Sequence, residues 1–285
     1  MVRKISKEGV LAVCRDYVTG LSSPTIAKKH NVSSVAICGL LERRGIARRS
    51  QSLAQKKRTL REDVFDNLTD VVSYWVGFLF ADGGIFKRSG SPSLTLRLSG
   101  RDRIHVEKFR CFLGSSHKIV YIPVPHYRDS WSGSKDSCQL SIRSTRLVER
   151  LEELGLVSKL KSAAILSLCQ SRDFWRGVVD GDGCIGALTG RKSHLARLEL
   201  VGGEPLLQQF VNYVHTVVPN TTVSVRPHKT IYKVSMSGST ARQMILTLYS
   251  NACVVLDRKG NTARNILDAG QPVQSLTYAV AQSVG

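Results

Sequence analysis

The feature that most constrains this chain is a short apolar stretch that occurs twice. The first copy runs from Trp75 to Gly84 and the second from Trp175 to Cys184. Tryptophan, glycine, aspartate and glycine recur in the same register, so that Asp82 and Asp182 lie 100 residues apart. Both copies are apolar runs that end in a carboxylate followed by glycine. The chain is therefore predicted to contain two structural repeats, each beginning with this stretch.

Both copies are predicted to be helices. The first is apolar on nearly every side, which is typical of a helix that is buried all round, and at about 11 residues it is too short to span a membrane. Small residues recur four positions apart, and this spacing lets two helix backbones approach closely. We expect the two helices to pack against each other through Gly77, Ala81, Gly177 and Gly181, and to end at the C-cap glycines Gly83 and Gly183.

The two acids occupy an unfavourable place for a negative charge. Asp82 and Asp182 lie in the last turns of their helices, where the helix dipole disfavours a carboxylate. If the helices pair, the two carboxylates also repel each other. A hard divalent cation such as Mg²⁺, which prefers oxygen ligands, offsets both effects. The alternative is that each aspartate only hydrogen-bonds at its helix end, but two copies in register favour the metal site.

The paired stretches resemble the repeated motif of the LAGLIDADG homing endonucleases, in the single-chain form that carries two motifs. The resemblance covers about residues 71–268. It implies an α+β fold of two pseudo-symmetric αββαββα repeats, with the motif helices at their interface and saddle-like antiparallel sheets. It also implies a metal site at Asp82 and Asp182, together with Ala81 and Gly181, and packing glycines at Gly77 and Gly177. The second copy has Asp180 where the first has Phe80, a departure of little consequence if only Asp82 and Asp182 bind metal.

The charge of the chain predicts a polyanionic partner. Its 285 residues include 41 lysines and arginines against 22 acids, a net charge of +19. This excess favours nucleic acid over an anionic membrane. Seven scattered cysteines without a CxxC pair indicate neither a disulfide framework nor a zinc site. We expect an intracellular protein of the cytoplasm, nucleoid or an organelle, and a monomer.

Residues 1–47 are predicted to form three helices that resemble a helix-turn-helix. In that motif the N-terminal residues of the later helix face base edges in the major groove. This assigns base contacts to Ser33, Ser34, Ala36 and Ile37, and phosphate contacts to Arg43 and Arg44. The alternative is a three-helix bundle for packing or protein contact.

Residues 48–70 are predicted to be a linker whose basic residues are either simply solvated or follow the phosphate backbone. The two-repeat domain is predicted to occupy residues 71–270, with repeat one at 71–160 and repeat two at 171–268. Residues 271–285 lack periodicity and charge and are predicted to form a loose tail.

Every predicted strand of the two repeats has one apolar and one polar face. Leu94, Leu96 and Leu98 alternate with polar residues in repeat one, as Leu198 and Leu200 do in repeat two. Such alternation is typical of an antiparallel sheet with one solvated face. Here the polar faces are rich in groups that hydrogen-bond to base edges. The predicted DNA-binding residues of the sheets are Thr95, Arg97, Ser141, Arg143, Arg197, Glu199, Ser224, Arg226 and Ser235.

Phosphodiester hydrolysis also needs a cation near the phosphate, to stabilise developing charge. Each repeat has candidates after its last long helix: Lys159 or Lys161 in repeat one, and Arg258 or Lys259 in repeat two. Gln139 and Lys233 fall at matching strand positions and form a second candidate pair for a catalytic role.

The sequence thus predicts a site-specific, Mg²⁺-dependent endonuclease that binds double-stranded DNA. The alternative is a non-cleaving DNA-binding regulator or an RNA-splicing maturase on the same fold, with intron RNA as partner. Both motif acids are present, which favours the enzyme.

Overall fold

The computed structural model describes residues 5–47, 58–87, 92–123, 136–158, 160–188 and 195–269. It divides the chain into two compact units, Met1–Thr59 and Leu60–Gly285. Within the described residues, no helix is long and apolar enough to cross a membrane. Several predictions lie outside the described residues: the basic cluster of residues 48–57, Lys159, and the tail 271–285.

The first unit contains the three predicted helices, α1 (Lys7–Val18), α2 (Ser23–His30) and α3 (Ser34–Arg43). Each begins at a serine whose hydroxyl accepts a backbone N–H of the first turn, an arrangement that stabilises a helix N-terminus. These cap residues are Ser6, Ser22 and Ser33. Asn31 ends α2 with φ 52°, a left-handed conformation that asparagine tolerates. The unit has a small core of its own, formed by Val13, Tyr17, Ile26, Ala27, Ile37, Leu40 and Leu41.

The second unit contains two repeats of the same element order, and this confirms the predicted αββαββα plan. The first repeat comprises α4 (Asp70–Asp82), β1 (Gly83–Phe86), β2 (Ser93–Ser99), α5 (Arg103–Phe112), β3 (Val120–Ile122), β4 (Ser137–Arg143) and α6 (Thr145–Glu153). A short helix, α7 (Leu166–Cys169), precedes the second repeat. That repeat comprises α8 (Arg172–Asp182), β5 (Gly183–Ala187), β6 (Ala196–Gly202), α9 (Glu204–Val217), β7 (Arg226–His228), β8 (Ile231–Ser237) and α10 (Gly238–Tyr249), and a further helix, α11 (Asp257–Asp268), follows.

Each repeat forms a four-stranded antiparallel sheet, in the orders β1-β2-β4-β3 and β5-β6-β8-β7. The registers are equivalent: Gly83 pairs with Leu96 and Leu96 with Leu140, as Gly183 pairs with Leu200 and Leu200 with Val234. The apolar faces are buried together with the two motif helices in one continuous core. The polar faces remain on the other side of each sheet, because successive side chains of a strand alternate between its faces.

Several local predictions need correction. A strand over residues 117–122 is expected from the sequence, but it begins only at Val120, since Ser115 Oγ binds both the backbone N–H and the ring of His117. Val223 and Val225 alternate with polar residues and predict a strand there, but β7 begins only at Arg226. The sequence also predicts Ser239 as the N-cap of the last helix of repeat two, but that helix, α10, begins after Ser237 and has no side-chain cap.

The structure also adds two features. Helix α11 is not expected from the sequence pattern. Residues 60–69, assigned to the linker, pack within the second unit: Phe65 is fully buried and the Arg61 N–H donates to the Leu113 carbonyl at 2.9 Å.

Candidate active site

The two motif helices, α4 and α8, pack with their backbones in contact. A Cβ atom on Gly77 would lie 2.0 Å from the Phe174 carbonyl oxygen, and one on Gly177 would lie 2.1 Å from the Tyr74 carbonyl oxygen. Real Cβ atoms do not approach so closely, so each site requires glycine. At the other end of the interface a Cβ on Gly181 would lie 2.3 Å from the Ala81 Cβ. The four small residues expected at the interface therefore form the helix contact.

The same contact brings the motif acids to one place. Asp82 and Asp182 are the last residues of α4 and α8, and both are half-buried. Asp82 Oδ2 lies 3.3 Å from the position that a Cβ on Gly181 would take, so the Asp82 carboxylate reaches across to the end of α8. Because Gly181 directly precedes Asp182, the two acids share the C-terminal end of the helix pair.

The glycines that follow the acids are the C-cap residues of the two motif helices, as predicted, and neither is in a left-handed conformation. Gly83 and Gly183 have φ values of −78° and −85°, which are ordinary extended conformations. Glycine is needed there because a Cβ would lie 2.5 Å from the Leu79 carbonyl oxygen or 2.6 Å from that of Val179. The close backbone contact at each glycine lets the chain pass directly from the motif helix into the first strand of the sheet.

The donor set at the helix ends fits a hard divalent cation. In the described part of the chain, no three His, Cys, Asp or Glu side chains converge on one point. Mg²⁺ is commonly bound by one or two protein carboxylates, and water or substrate phosphate completes its coordination. The two carboxylates at the helix ends match this pattern. Asp82 and Asp182 would hold such an ion, with the carbonyl groups of Ala81 and Gly181 beside them.

Lys259, one of the predicted catalytic cations, is buried against the end of α8. Its Nζ donates to the carbonyl oxygens of Val179 at 2.6 Å, Asp180 at 2.7 Å and Gly183 at 2.6 Å. Burial lowers the pKa of Lys259 to about 8, while the negative charges of Asp180 and Asp82 act in the opposite direction. A cation here offsets the partial negative charge of the helix C-terminus, which stabilises the helix end that bears Asp182.

The two repeats are not equivalent in this respect. Lys161, the counterpart predicted from repeat one, is exposed, and Lys159 lies outside the described residues. The Arg258 Nε pairs with Asp102 Oδ1 at 3.2 Å, which joins α11 to repeat one. Of the predicted basic residues after the last helices, Lys259 is the one that the structure shows bound to the end of a motif helix.

Asp180 is a buried carboxylate whose role the sequence did not reveal. It is completely buried and accepts three hydrogen bonds: from the Tyr74 hydroxyl at 2.8 Å, the Tyr249 hydroxyl at 2.7 Å and the Leu256 N–H at 2.7 Å. Burial raises the pKa of Asp180, although these donors oppose the shift. Because Tyr74 belongs to α4, Asp180 ties the two motif helices together and joins both to the segment before α11.

A second buried charge lies one turn earlier. Arg176 is fully buried and donates to Asp173 Oδ1 at 2.5 Å and to the carbonyl oxygens of Leu248 and Val254. The spacing Asp173, Arg176, Asp180 places one acid three residues before Arg176 and the other four residues after it, on one helix face. This spacing in the sequence indicates that α8 buries an ionic network. The first motif helix, α4, instead buries mainly apolar side chains and Tyr74.

The polar faces of the sheets contain all the DNA-binding residues predicted for the strands except Ser224. Arg97, Ser141, Arg143, Arg226 and Ser235 are exposed, while Thr95, Arg197 and Glu199 are half-buried. Gln139 and Lys233 occupy equivalent register positions, opposite Arg97 and Val201. Lys233 Nζ donates to Glu199 Oε1 at 2.8 Å, and Gln139 Nε2 donates to Ser141 Oγ at 2.8 Å. Ser224 is exposed but precedes β7.

In the first unit the predicted contact face needs one correction. Ile37 is fully buried in the small core, so it cannot contact DNA, and Val35 is exposed on α3 in its place with 78% of its surface accessible. Ser33 is exposed, although its hydroxyl caps α3, and Ser34 is half-buried. Arg43 and Arg44 are exposed, as a phosphate-binding role requires.

No family model and no curated protein matches the chain. The solved structures that match it include LAGLIDADG homing endonucleases, the class that the motif residues resemble. The meganuclease I-AabMI bound to uncleaved DNA is 13% identical, with a TM-score of 0.46 over 70% of this chain and 90% of its own. I-WcaI bound to its DNA recognition sequence is 12% identical, with a TM-score of 0.47 over 73% and 90%. I-DmoI in complex with DNA and Ca is 15% identical, with a TM-score of 0.46 over 71% and 99%.

Proposed function

We propose that this protein is a site-specific, metal-dependent DNA endonuclease. The observation that carries the proposal is the pairing of Asp82 and Asp182 at the end of two helices that pack backbone to backbone through their glycines. Two carboxylates held together at a helix C-terminus are costly without a cation. A protein that brings one such carboxylate from each repeat to the same place, and that has a net charge of +19, has the properties of an enzyme that acts on a polyanion.

In such a reaction, different residues of the chain have different roles. Asp82 and Asp182 would hold the divalent cations, which would supply activation of water and stabilisation of the charge on the phosphate. Lys259 fixes the backbone of the α8 end, and Asp180 holds the helix pair together. Gln139 and Lys233 lie at equivalent positions of the two sheets, where each is placed to hydrogen-bond to the bound nucleic acid.

DNA binds on the polar faces of the two sheets. Each polar face is on the side of its sheet opposite the apolar face that packs in the core. The Arg, Lys, Gln, Ser and Thr side chains of the polar faces match the donors and acceptors of base edges. Two sheets, each starting at a motif acid, contact two half-sites of one long target. Each active centre cuts one strand across the minor groove, which gives a staggered double-strand break.

Cleavage of a randomised duplex library tests the proposal directly. With Mg²⁺ we expect one long site to be enriched among the cut ends, and with Ca²⁺ as a non-catalytic control we expect binding without cleavage. Asp82→Asn and Asp182→Asn should each abolish cleavage while binding in Ca²⁺ persists. Glu149→Gln, on the exposed side of α6, serves as the matched carboxylate control and should cleave normally.

Full activity of either aspartate variant would refute the active site. Binding of a specific duplex by the wild-type protein without any cleavage would instead favour a regulator or maturase, and binding to intron RNA would then be measured.

A further inference from the structure

An ion pair lies at the centre of the second sheet's polar face. Glu199 Oε1 accepts from Lys233 Nζ at 2.8 Å and from Ser235 Oγ at 3.0 Å. Glu199 lies on β6 and pairs with Ser235 on β8 and with Cys184 on β5, so its partner on β5 is two residues beyond Asp182. The side chains of Lys233 and Glu199 are 30% and 21% exposed, which leaves both accessible to a ligand on this face.

The equivalent positions of the first sheet are uncharged. The register places Thr95 where repeat two has Glu199, Gln139 where it has Lys233, and Ser141 where it has Ser235. Thr95 and Ser141 share a hydrogen bond of 3.1 Å, and Gln139 donates to Ser141. The two sheets thus present different hydrogen-bonding groups at corresponding places, and a duplex bound across both is contacted differently in its two halves.

Glu199 acts only as an acceptor. The hydrogen bond from Lys233 lowers the pKa of Glu199, and Ser235 and the positive charge of Arg197 act in the same direction. A carboxylate repels phosphate, so on a DNA-binding face its partner must be a base that carries a donor. The hydrogen bonds from Lys233 and Ser235 both use Oε1, so we assign Oε2 to the acceptance of a hydrogen bond from such a donor. Lys233 has two further N–H groups, since an ammonium group carries three donors.

This arrangement matches the major-groove edge of one kind of base pair. A G·C pair presents the guanine N7 and O6 acceptors beside the cytosine N4 amino donor, whereas an A·T pair presents its amino donor between two acceptors. A lysine donor next to a carboxylate acceptor satisfies all three groups of G·C in order. On A·T it leaves one acceptor without a partner.

We propose that the Glu199–Lys233 pair recognises a single G·C base pair in the half-site under the second sheet. Lys233 donates to guanine O6 and N7, and Glu199 Oε2 accepts from cytosine N4. The proposal rests on the proposed function, because it requires DNA on the polar faces. It assigns to Lys233 a role in specificity and to Glu199 the recognition of cytosine.

Selection of bound duplexes in Ca²⁺ from a randomised library separates this role from catalysis. The full-length wild-type protein should select G·C at one position of one half-site. Glu199→Gln removes the charge and adds an amide that suits adenine. We expect the preference for G·C at that position to fall by about 5- to 150-fold, while all other positions keep their preference. Thr95→Val is the matched control in repeat one, and its effect should be confined to the opposite half-site.

A charge exchange provides the sharper test. Combining Glu199→Lys with Lys233→Glu preserves the ion pair but reverses the order of donor and acceptor. The selected pair at the same position should change from G·C to C·G. Thermal unfolding of each variant confirms that it is folded before selection.

The outcomes are distinct. An A·T preference of the wild type at every position near the second active centre, or an unchanged profile in both variants, would overturn the inference. So would a Glu199→Gln variant that cleaves slowly in Mg²⁺ with unaltered base preference, since the pair would then orient Lys233 for the reaction. Failure of the wild type to select any duplex would overturn the proposed function as well.

Discussion

At the residue scale, the absence of a side chain at Gly77 and Gly177 determines how closely the motif helices approach. The positions tolerate no Cβ because the nearest carbonyl oxygens would lie 2.0 Å and 2.1 Å away. An added methyl group must push the helices apart, and this displaces the acids that they align.

Gly77→Ala is therefore expected to destabilise the second unit and to reduce cleavage. Overpacking of this kind costs about 1–3 kcal/mol or more, and for a unit of this size each kcal/mol lowers Tm by about 2–4 °C. Calorimetry and cleavage assays measure both effects. Gly186→Ala is the matched control, because a Cβ at Gly186 would meet nothing within 4 Å. Equal Tm values for the two variants would contradict the close helix packing.

His105 provides a prediction about pH. Its Nε2 binds the Tyr74 hydroxyl at 3.0 Å, and it lies among Tyr74, Trp75 and Phe78. Burial lowers the pKa of His105 from 6.5 to about 3, with Lys108 and Arg258 acting in the same direction and Asp257 against it. Between these pH values only the unfolded chain binds this proton. The contribution of neutral His105 to the free energy of unfolding is therefore fully present above pH 6.5 and is lost as the pH falls towards 3.

The free energy of unfolding should decrease on acidification from pH 7 to pH 4, with His105 contributing up to about 1.4 kcal/mol per pH unit. His105→Gln, which keeps a hydrogen-bonding partner for Tyr74, should reduce this slope. His228→Gln, at an exposed position of β7, should leave it unchanged. Parallel slopes for wild type and His105→Gln in denaturant titrations would show that the histidine is not buried as the structure places it.

At the element scale, α11 stabilises the end of the second motif helix. Lys259 in its first turn binds three carbonyl groups at the end of α8. Lys259→Met should remove the side-chain donor from these carbonyl groups, at a cost of about 1–3 kcal/mol, and should weaken cleavage through Asp182. Lys161→Met, at the exposed counterpart, should change stability by less than about 0.5 kcal/mol. Denaturant unfolding distinguishes the two; equal effects would contradict the inequivalence of the repeats.

The elements also show what the sequence can and cannot predict. Periodicity predicts α9 from Glu204 to Val217 and the alternating strands, because one-sided burial leaves a regular pattern. Helix α11 is not predicted by periodicity, because it contains four poor helix formers: Gly260, Asn261, Thr262 and Asn265. Its helical conformation depends on tertiary contacts. Gly260 is itself needed for packing, since a Cβ there would lie 2.8 Å from Val255 Cγ2.

The candidate site, like the fold, could be predicted from the sequence only in part. The repeated motif identifies Asp82 and Asp182 and the small residues that bring them together. Asp180 could not be assigned from the motif, because its partners Tyr249 and Leu256 are distant in sequence and meet it only in the folded chain. The difference between Lys259 and Lys161 likewise depends on burial, which two similar basic segments do not reveal.

At the scale of the whole molecule, a net charge of +19 predicts binding that weakens steeply with salt. Removal of one phosphate-binding side chain reduces the slope of log affinity against log salt concentration by about one. The contribution of the first unit is measurable in the intact chain, because Arg43 and Arg44 are exposed at the end of α3 and outside its core.

The variant that combines Arg43→Gln and Arg44→Gln should lower affinity for the selected duplex and reduce the salt slope by about two. The decrease should be similar for all sequences, because phosphate contacts carry no base preference. Arg146→Gln is the matched control, since this arginine is exposed on α6 but its guanidinium pairs with Asp66 at 2.6 Å. Fluorescence anisotropy at several salt concentrations measures each slope. If the double variant kept the wild-type slope, the first unit would not bind the DNA backbone, and the sheets alone would account for affinity.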